Sequence, residues 1–186
     1  MRALSELRPA DPSRRNPSPG EPRIVRAEIA SVEFNRFFYT AVGGPWYWLE
    51  RLPWNWDDWM AWLKTPGVET WYGTVGGTPF GYGELHRTPD REVEIVYFGL
   101  LPRFIGRGLG GWLLTEVIRR AWQSNPTRVW LHTCDLDGPA ATANYTARGF
   151  RVYRTETETR SVPAQPPGPW PGARGPAASL LGKDAG

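Results

Sequence analysis

The chain has 186 residues, of which 40% are hydrophobic and 22% charged, the composition of a globular domain large enough to bury a core. Its net charge of +3 is too small to indicate nucleic-acid binding, and its single cysteine excludes an intramolecular disulfide and a cysteine-rich metal site. No apolar run approaches the roughly 18 residues of a membrane span, and the first residues lack the apolar core of a secretory signal. We therefore expect a cytoplasmic protein that binds neither nucleic acid nor membrane and holds no metal.

The two ends of the chain differ in composition from its middle. Residues 1–21 mix Arg, Pro, Ser and Glu without periodicity and predict a disordered leader. Residues 161–186 are rich in Pro, Gly and Ala and predict a disordered tail. The folded domain is therefore expected over residues 22–160.

Hydrophobic periodicity and turn residues predict six strands and four helices in this domain. The strands are expected over 23–29, 69–75, 78–87, 92–100, 128–133 and 150–156. The helices are expected over 32–41, in a short segment that Asn55 or Asp57 would cap, over 108–123 and over 139–147. Gly76-Gly77 is typical of a hairpin turn between the second and third strands.

A strand, a glycine-dense turn and a helix start follow one another over residues 93–111. Exposed backbone N–H groups and the helix dipole favour a phosphate group at such a junction. The run Gly106-Arg107-Gly108-Leu109-Gly110-Gly111 matches the dinucleotide pattern G-x-G-x-x-G. A Rossmann turn follows its strand at once, whereas here residues 100–105 intervene and include a proline, so a dinucleotide site is disfavoured. No Lys-Ser/Thr pair closes the run, so it is not a Walker A loop either.

Two segments resemble the GNAT superfamily of acyl-CoA-dependent N-acyltransferases. Pro102-Arg103-Phe104-Ile105-Gly106-Arg107-Gly108-Leu109-Gly110 is similar to the segment that opens the family's long helix, and the pattern Ala141-x-x-x-Tyr145-x-x-x-Gly149-Phe150 is similar to its later motif. The resemblance implies a mixed α/β (α+β) fold, a mainly antiparallel twisted sheet of about six to seven strands flanked by helices. It also implies acetyl-CoA in a cleft between the fourth and fifth strands.

The sequence departs from the family pattern at two positions. Ile105 stands where the family usually has Gln or Arg, which puts side-chain support of the phosphates in doubt more than binding itself. Gly138 stands where an Asn is common, so the role of that Asn is absent or is taken by Asp135 or Asp137.

The resemblance assigns cofactor contacts to the end of the fourth strand and to the glycine turn. At the strand end a bulge would free backbone groups for the pantetheine arm and the thioester. The backbone of the turn would hold the pyrophosphate, while Arg103 and Arg107 either add charge or are solvated surface residues. The expected cofactor-binding residues are Gly99, Leu100, Leu101, Arg103, Ile105, Gly106, Arg107, Gly108, Leu109, Gly110 and Gly111.

Amine acetylation benefits from a base, because an alkyl amine is almost fully protonated at neutral pH. Glu94 is the first candidate: strand alternation places it on one face with Val96 and Phe98, where burial would raise the pKa of its carboxyl. The family resemblance gives a glutamate at this place the same role. The alternative is a solvated carboxylate paired to Arg87 or Arg91.

Other residues compete for the same chemistry. His132 is the rival base, with a hydrogen-bonded core histidine as its alternative, and Glu84 and His86 rank third. By resemblance, Tyr145 protonates the CoA thiolate; the alternative is a tyrosine that packs on the sheet.

Tryptophan is concentrated in the segment that forms one wall of the acceptor site in this family. Trp46, Trp48 and Trp54 are expected to contact the acceptor, and a packed lid or a homodimer surface is the alternative. The predicted function is N-acetylation of a primary amine by direct attack in a ternary complex, with a small-molecule acceptor favoured. The rivals are a non-catalytic acyl-CoA-binding module and a protein or peptide N-acetyltransferase.

Overall fold

The computed structural model describes residues 1–16 and 20–170, which contain a five-stranded sheet. Its strands are β1 (Arg23–Ala27), β2 (Val68–Val75), β3 (Thr78–Arg87), β4 (Glu92–Leu100) and β5 (Arg128–Trp130). They lie in the order β1-β2-β3-β4-β5, and every pair is antiparallel except β4 with β5. The mixed, mainly antiparallel α/β class is confirmed, but the sheet has five strands rather than six or seven.

Within the described residues, four α-helices cover the two faces of the sheet: α1 (Val32–Gly43), α2 (Trp56–Leu63), α3 (Leu109–Ala121) and α4 (Ala141–Ala147). The Ser31 hydroxyl caps α1 by accepting from the Phe34 N–H, and Asn55 with Asp58 forms a capping box on α2. The main core joins α3 to the sheet and includes Leu85 and Ile95. On the opposite face, α1 and α2 pack against aromatic residues of β3 and β4. None of the described helices is long and apolar enough to cross a membrane.

β4 contains a bulge at Val96. Tyr97 pairs with Glu84 and Ile95 with Leu85, so Val96 is the extra residue between two consecutive positions of β3. The bulge was expected later, at residues 99–101, but Gly99 and Leu100 stay in register with β3.

The bulge changes which side chains share a face. Beyond it, Phe98 packs with the main core, while Tyr97 packs with α1 and α2. The expectation that Phe98 lies on the face of Glu94 is therefore wrong, because the extra residue inverts the alternation.

The sixth predicted strand is not formed. Residues 151–160 carry no strand pairing, and Val152 and Tyr153 are exposed. Part of the free edge of β5 is instead paired with Met1: the Val129 N–H donates to the Met1 carbonyl (2.9 Å), and the Met1 amino group donates to the Val129 carbonyl (3.0 Å). The fifth strand also ends at Trp130, earlier than predicted.

Residues 1–16, called the N-terminal segment below, are packed rather than disordered. Met1 and Leu7 contact the main core, which the polar composition of this segment obscured. The Ala10 N–H donates to the Thr115 hydroxyl (3.0 Å) and the Asn16 N–H to the Arg107 carbonyl (3.1 Å). Of the predicted tail, residues 171–186 lie outside the described part, and Gly168 donates its N–H to the Gly44 carbonyl (3.2 Å).

Candidate active site

A cleft of about 440 Å³ opens where β4 and β5 separate. One wall is the end of β4 and another is the glycine turn before α3. The loop after β5 and α4 form the third wall, over residues 137–145, and Trp46 and Trp48 close the fourth side. The cleft thus joins the two segments that the sequence singled out.

The glycine turn presents backbone to the cleft. Gly106 (φ +78°) and Gly108 (φ +75°) adopt left-handed conformations that disfavour a side chain. Gly108 is the N-cap of α3 and so offers no side-chain cap, and the first turn contains no acidic residue. The first N–H groups of α3 therefore lack a side-chain acceptor, as in sites that bind anions.

Only part of the expected cofactor set reaches the cleft. Those that line it are Gly99, Leu100, Ile105, Gly106, Gly110 and Gly111. Leu109 is instead buried in the main core, and the Leu101 N–H is taken by the Phe80 carbonyl (2.9 Å). Arg103 and Arg107 are exposed beside the turn.

Tyr145 of α4 also lines the cleft. Its ring packs edge-on against Phe98 (6.2 Å between centroids) and Phe150 (6.4 Å). Burial raises the pKa of the Tyr145 hydroxyl above its usual value near 10. The side chain is thus a neutral hydrogen-bond donor at physiological pH.

Glu94 and His132 form one hydrogen-bonded pair. His132 Nδ1 lies 3.1 Å from Glu94 Oε1, and the carboxylate is 16% exposed against 70% for the imidazole. The hydrogen bond to Glu94 raises the pKa of His132. The pair lies where the two strands part, because Glu94 is the last β4 residue in register with β5. The cleft-lining residues do not include either side chain.

The other residues that the sequence offered as bases or as partners of Glu94 are engaged elsewhere in the structure. Arg87, offered as a partner for Glu94, pairs with Glu69 (2.9 Å). The third-choice base Glu84 is buried and accepts from Arg51 Nη2 and Trp62 Nε1, both at 2.9 Å. Both donors bind the same oxygen, Glu84 Oε1, so this carboxylate is tied to Arg51 and Trp62 rather than to the cleft. His86 packs against Trp62, with 5.3 Å between ring centroids.

The three tryptophans expected in the acceptor wall separate into two groups. Trp46 and Trp48 line the cleft. Trp54 instead covers the Arg51 guanidinium, 4.6 Å from its ring centroid. Trp46 also lies against Gly138, where a Cβ would come within 3.3 Å of the indole ring. A bulkier residue at position 138 would therefore press on Trp46.

A sequence model of the Acetyltransferase (GNAT) family matches residues 30–150, which include every wall of the cleft. The chain belongs to the GNAT family. Among curated relatives, uncharacterized N-acetyltransferases of Mycobacterium tuberculosis and Mycobacterium bovis are 33% identical over 81 residues, 44% of this chain. The chain spans about half the length of these relatives (51%).

Solved GNAT structures share the fold at low sequence identity. An aminoglycoside acetyltransferase from a soil metagenomic sample, in complex with trehalose, aligns with a TM-score of 0.60 and 8% identity over 76% of this chain and 97% of its own. An aminoglycoside N-acetyltransferase in complex with CoA aligns with a TM-score of 0.58 and 16% identity, over 78% of this chain and 98% of its own. The ribosomal-protein-S18-alanine N-acetyltransferase of Escherichia coli aligns with a TM-score of 0.56 and 18% identity, over 72% of this chain and 80% of its own.

Several residues of this GNAT cleft were missed from the sequence. Asn144 directly precedes Tyr145, and its side chain donates to the Gly110 carbonyl (3.4 Å), so the motif itself could have indicated it. Asp137, named only as a substitute for a missing Asn, accepts from the Thr133 hydroxyl (2.6 Å) and shapes the loop. Val42 of α1 has no recognisable pattern in the sequence, because only tertiary packing brings it against Gly99.

No metal-binding group of three or more His, Cys, Asp or Glu residues occurs within residues 1–16 and 20–170.

Proposed function

We propose that the chain is an acyl-CoA-dependent N-acetyltransferase that moves the acetyl group of acetyl-CoA to a small primary amine. The observation that carries the proposal is the continuity of the cleft from the glycine turn to the end of β4, with Tyr145 on its wall. The turn supplies N–H groups for the pyrophosphate, and the β4 end supplies backbone for the pantetheine arm. The thioester would then lie near Tyr145, where the strands part.

The proton on the amine is removed by His132. With Nδ1 donating to Glu94, the imidazole keeps Nε2 as its acceptor and is 70% exposed to solvent. Glu94 acts through His132, by fixing its tautomer and stabilising the imidazolium that forms. The two residues that competed as bases in the sequence thus form one unit, as in other base–orienter pairs.

Acetyl transfer then proceeds by direct attack. The amine nitrogen forms a bond to the thioester carbon, the C–S bond breaks, and the electron pair of that bond leaves on sulfur. A phenol has a higher pKa than a thiol, and burial raises the pKa of Tyr145 further, so complete proton transfer from Tyr145 to the CoA thiolate is unfavourable. The hydroxyl therefore stabilises the thiolate by donating a hydrogen bond, and a proton released from the amine restores the thiol.

In this proposal the acceptor binds on the side of Trp46 and Trp48. Their faces suit an apolar or cationic amine, and the approach of Trp46 to Gly138 narrows the cleft, which favours a small molecule. The fold likeness to aminoglycoside acetyltransferases supports this class. A protein N-terminus is the second candidate, supported by the fold likeness to the ribosomal-protein acetyltransferase.

The test is acetyl-CoA consumption with panels of small amines, amino acids and peptides, run beside the Tyr145→Phe variant. Small amines should give the highest kcat/KM, and Tyr145→Phe should lower kcat roughly tenfold or more while the Kd for acetyl-CoA stays within about twofold. Tyr153→Phe, at an exposed tyrosine, is the matched control. Acetyl-CoA binding without turnover of any amine would instead support a non-catalytic binding module.

A further inference from the structure

The N-terminal segment lies on the outer side of the glycine turn. The Arg14 carbonyl is 2.3 Å from the position that a Cβ at Gly108 would take, and the Asn16 N–H donates to the Arg107 carbonyl (3.1 Å). The cleft touches the same turn from the other side, at Gly106 and Gly110. The turn is therefore enclosed between the cleft and a segment that lies outside the matched family region.

Arg14 and Arg148 both lie beside the start of α3, Arg14 with its backbone against Gly108 and Arg148 with its guanidinium against Gly111; this region is called the rim below. Arg148 Nη1 is 2.3 Å from the position of a Cβ on Gly111, in the first turn of α3, and the absent side chain makes room for the guanidinium. Burial and the neighbouring Arg14 charge lower the pKa of Arg148. Arg15, next in the chain, has Glu21 as an acidic partner (3.0 Å), whereas no carboxylate among the described residues pairs with Arg14 or Arg148.

This arrangement is electrostatically unfavourable without an anion. Cations at a helix N-terminus oppose the helix dipole, and α3 has neither a side-chain cap nor an acidic residue in its first turn. The Arg148 Nε atom is also buried and has no hydrogen-bond partner among the described residues. A phosphate at the rim would neutralise both arginines and accept their N–H groups.

We propose that Arg14 and Arg148 bind the ribose 3′-phosphate of CoA. The inference rests on the proposed function, which places the pyrophosphate at Gly106 and Gly110 inside the cleft. Arg148 Nη1 lies against Gly111, which lines the cleft, and Arg14 adjoins Gly108 in the same turn, so both are beside the pyrophosphate position and can meet a second phosphate of the cofactor. The N-terminal segment is thereby part of the cofactor site and makes the protein selective for CoA over 3′-dephospho-CoA.

The test is calorimetry of the full chain with CoA and with 3′-dephospho-CoA. Wild type should bind CoA about tenfold or more tightly, since a hydrogen bond to a charged group typically contributes at least that factor. Arg14→Gln and Arg148→Gln should each remove most of this preference while the affinity for 3′-dephospho-CoA stays within about twofold. Arg8→Gln, at an exposed arginine of the same segment, is the control and should keep the preference.

The outcomes separate the inference from the proposed function. Equal loss of affinity for both ligands, or no loss in either variant, overturns the 3′-phosphate contact while CoA binding itself stands. A folded wild-type chain that binds neither ligand overturns both. Thermal melts of each variant check folding, and Arg14 is exposed, so Arg14→Gln remains informative if Arg148→Gln unfolds.

Discussion

His132 holds its imidazole 3.1 Å from the Glu94 carboxylate, so one neighbour dominates its protonation. The carboxylate is mostly covered, whereas the imidazole is mostly exposed. A covered anion favours the imidazolium, and the pKa of His132 rises. If neutral His132 is the base, the rate of acetylation should fall on the acidic side of this raised pKa.

Glu94→Gln should lower the pKa of His132, because a neutral amide no longer favours the imidazolium. The acidic limb of the kcat/KM profile should move to lower pH, and its plateau should fall roughly tenfold as the ring loses its orientation. NMR titration checks the pKa directly, and His132→Gln assigns the signal of His132 against that of His86, the only other histidine. An unmoved limb in Glu94→Gln would remove His132 from the role of base.

The same pair has a defined effect on stability. A histidine whose folded-state pKa is raised contributes stability that is fully present below its unfolded pKa of about 6.5. This contribution is lost as the pH rises through the folded-state pKa. Glu94→Gln should therefore weaken the protein more at pH 5.5 than at pH 8.

At the scale of elements, the loop between α1 and α2 is tied to the sheet by a buried ion pair. Arg51 is 5% exposed, Glu84 is 1% exposed, and their nearest N and O atoms are 2.9 Å apart. The guanidinium also lies over the rings of Trp54, Trp62 and Tyr97, at 4.5 to 4.6 Å. Because the bulge at Val96 turns Tyr97 toward this face, β4 helps to build the same cluster.

Arg51→Ala should lower the free energy of unfolding by about 3–5 kcal/mol, because it leaves the Glu84 carboxylate buried without its cation. Urea unfolding measures the loss. Arg26→Ala is the matched control, because the Arg26 side chain is 46% exposed and its guanidinium lies 3.7 Å from the Glu69 carboxylate. This substitution should lower the free energy of unfolding by less than about 1 kcal/mol. Equal small losses in both variants would mean that the buried pair adds little to stability.

At the scale of the whole molecule, the N-terminal segment connects elements that are distant in the chain. It pairs with β5 through Met1, meets the end of α4 at Gly149 and reaches the glycine turn at Arg107. One stretch of sixteen residues thus supports both the sheet edge and the proposed cofactor site.

Gly149→Ala should expose this dependence. Gly149 has φ +102°, and a Cβ there would come within 2.1 Å of the Glu6 carbonyl. Gly77→Ala is the control for backbone strain alone, because Gly77 has φ +77° and a Cβ there would have no atom within 4 Å. This control should lower the free energy of unfolding by about 1–2 kcal/mol. Gly149→Ala should cost clearly more and should speed amide exchange in residues 1–10. Equal losses, with unchanged exchange, would show that the segment is not held there.

By itself, the sequence determined the elements whose signals are local. Alternation indicated β2, β3 and β4, Ser31 marked the start of α1, and the glycine turn with the Ala141–Phe150 motif indicated the family and the cleft. Each of these depends on neighbours within a few residues, where periodicity, capping and backbone conformation act directly.

Only the tertiary structure decided the contacts between segments far apart in the chain. The pairing of Glu94 with His132, the bulge at Val96 and the docking of Met1 on β5 depend on which surfaces meet. The physical reason is that burial and pairing are properties of a whole fold: the N-terminal segment becomes ordered because the open edge of β5 pairs with Met1 and the main core packs against Met1 and Leu7.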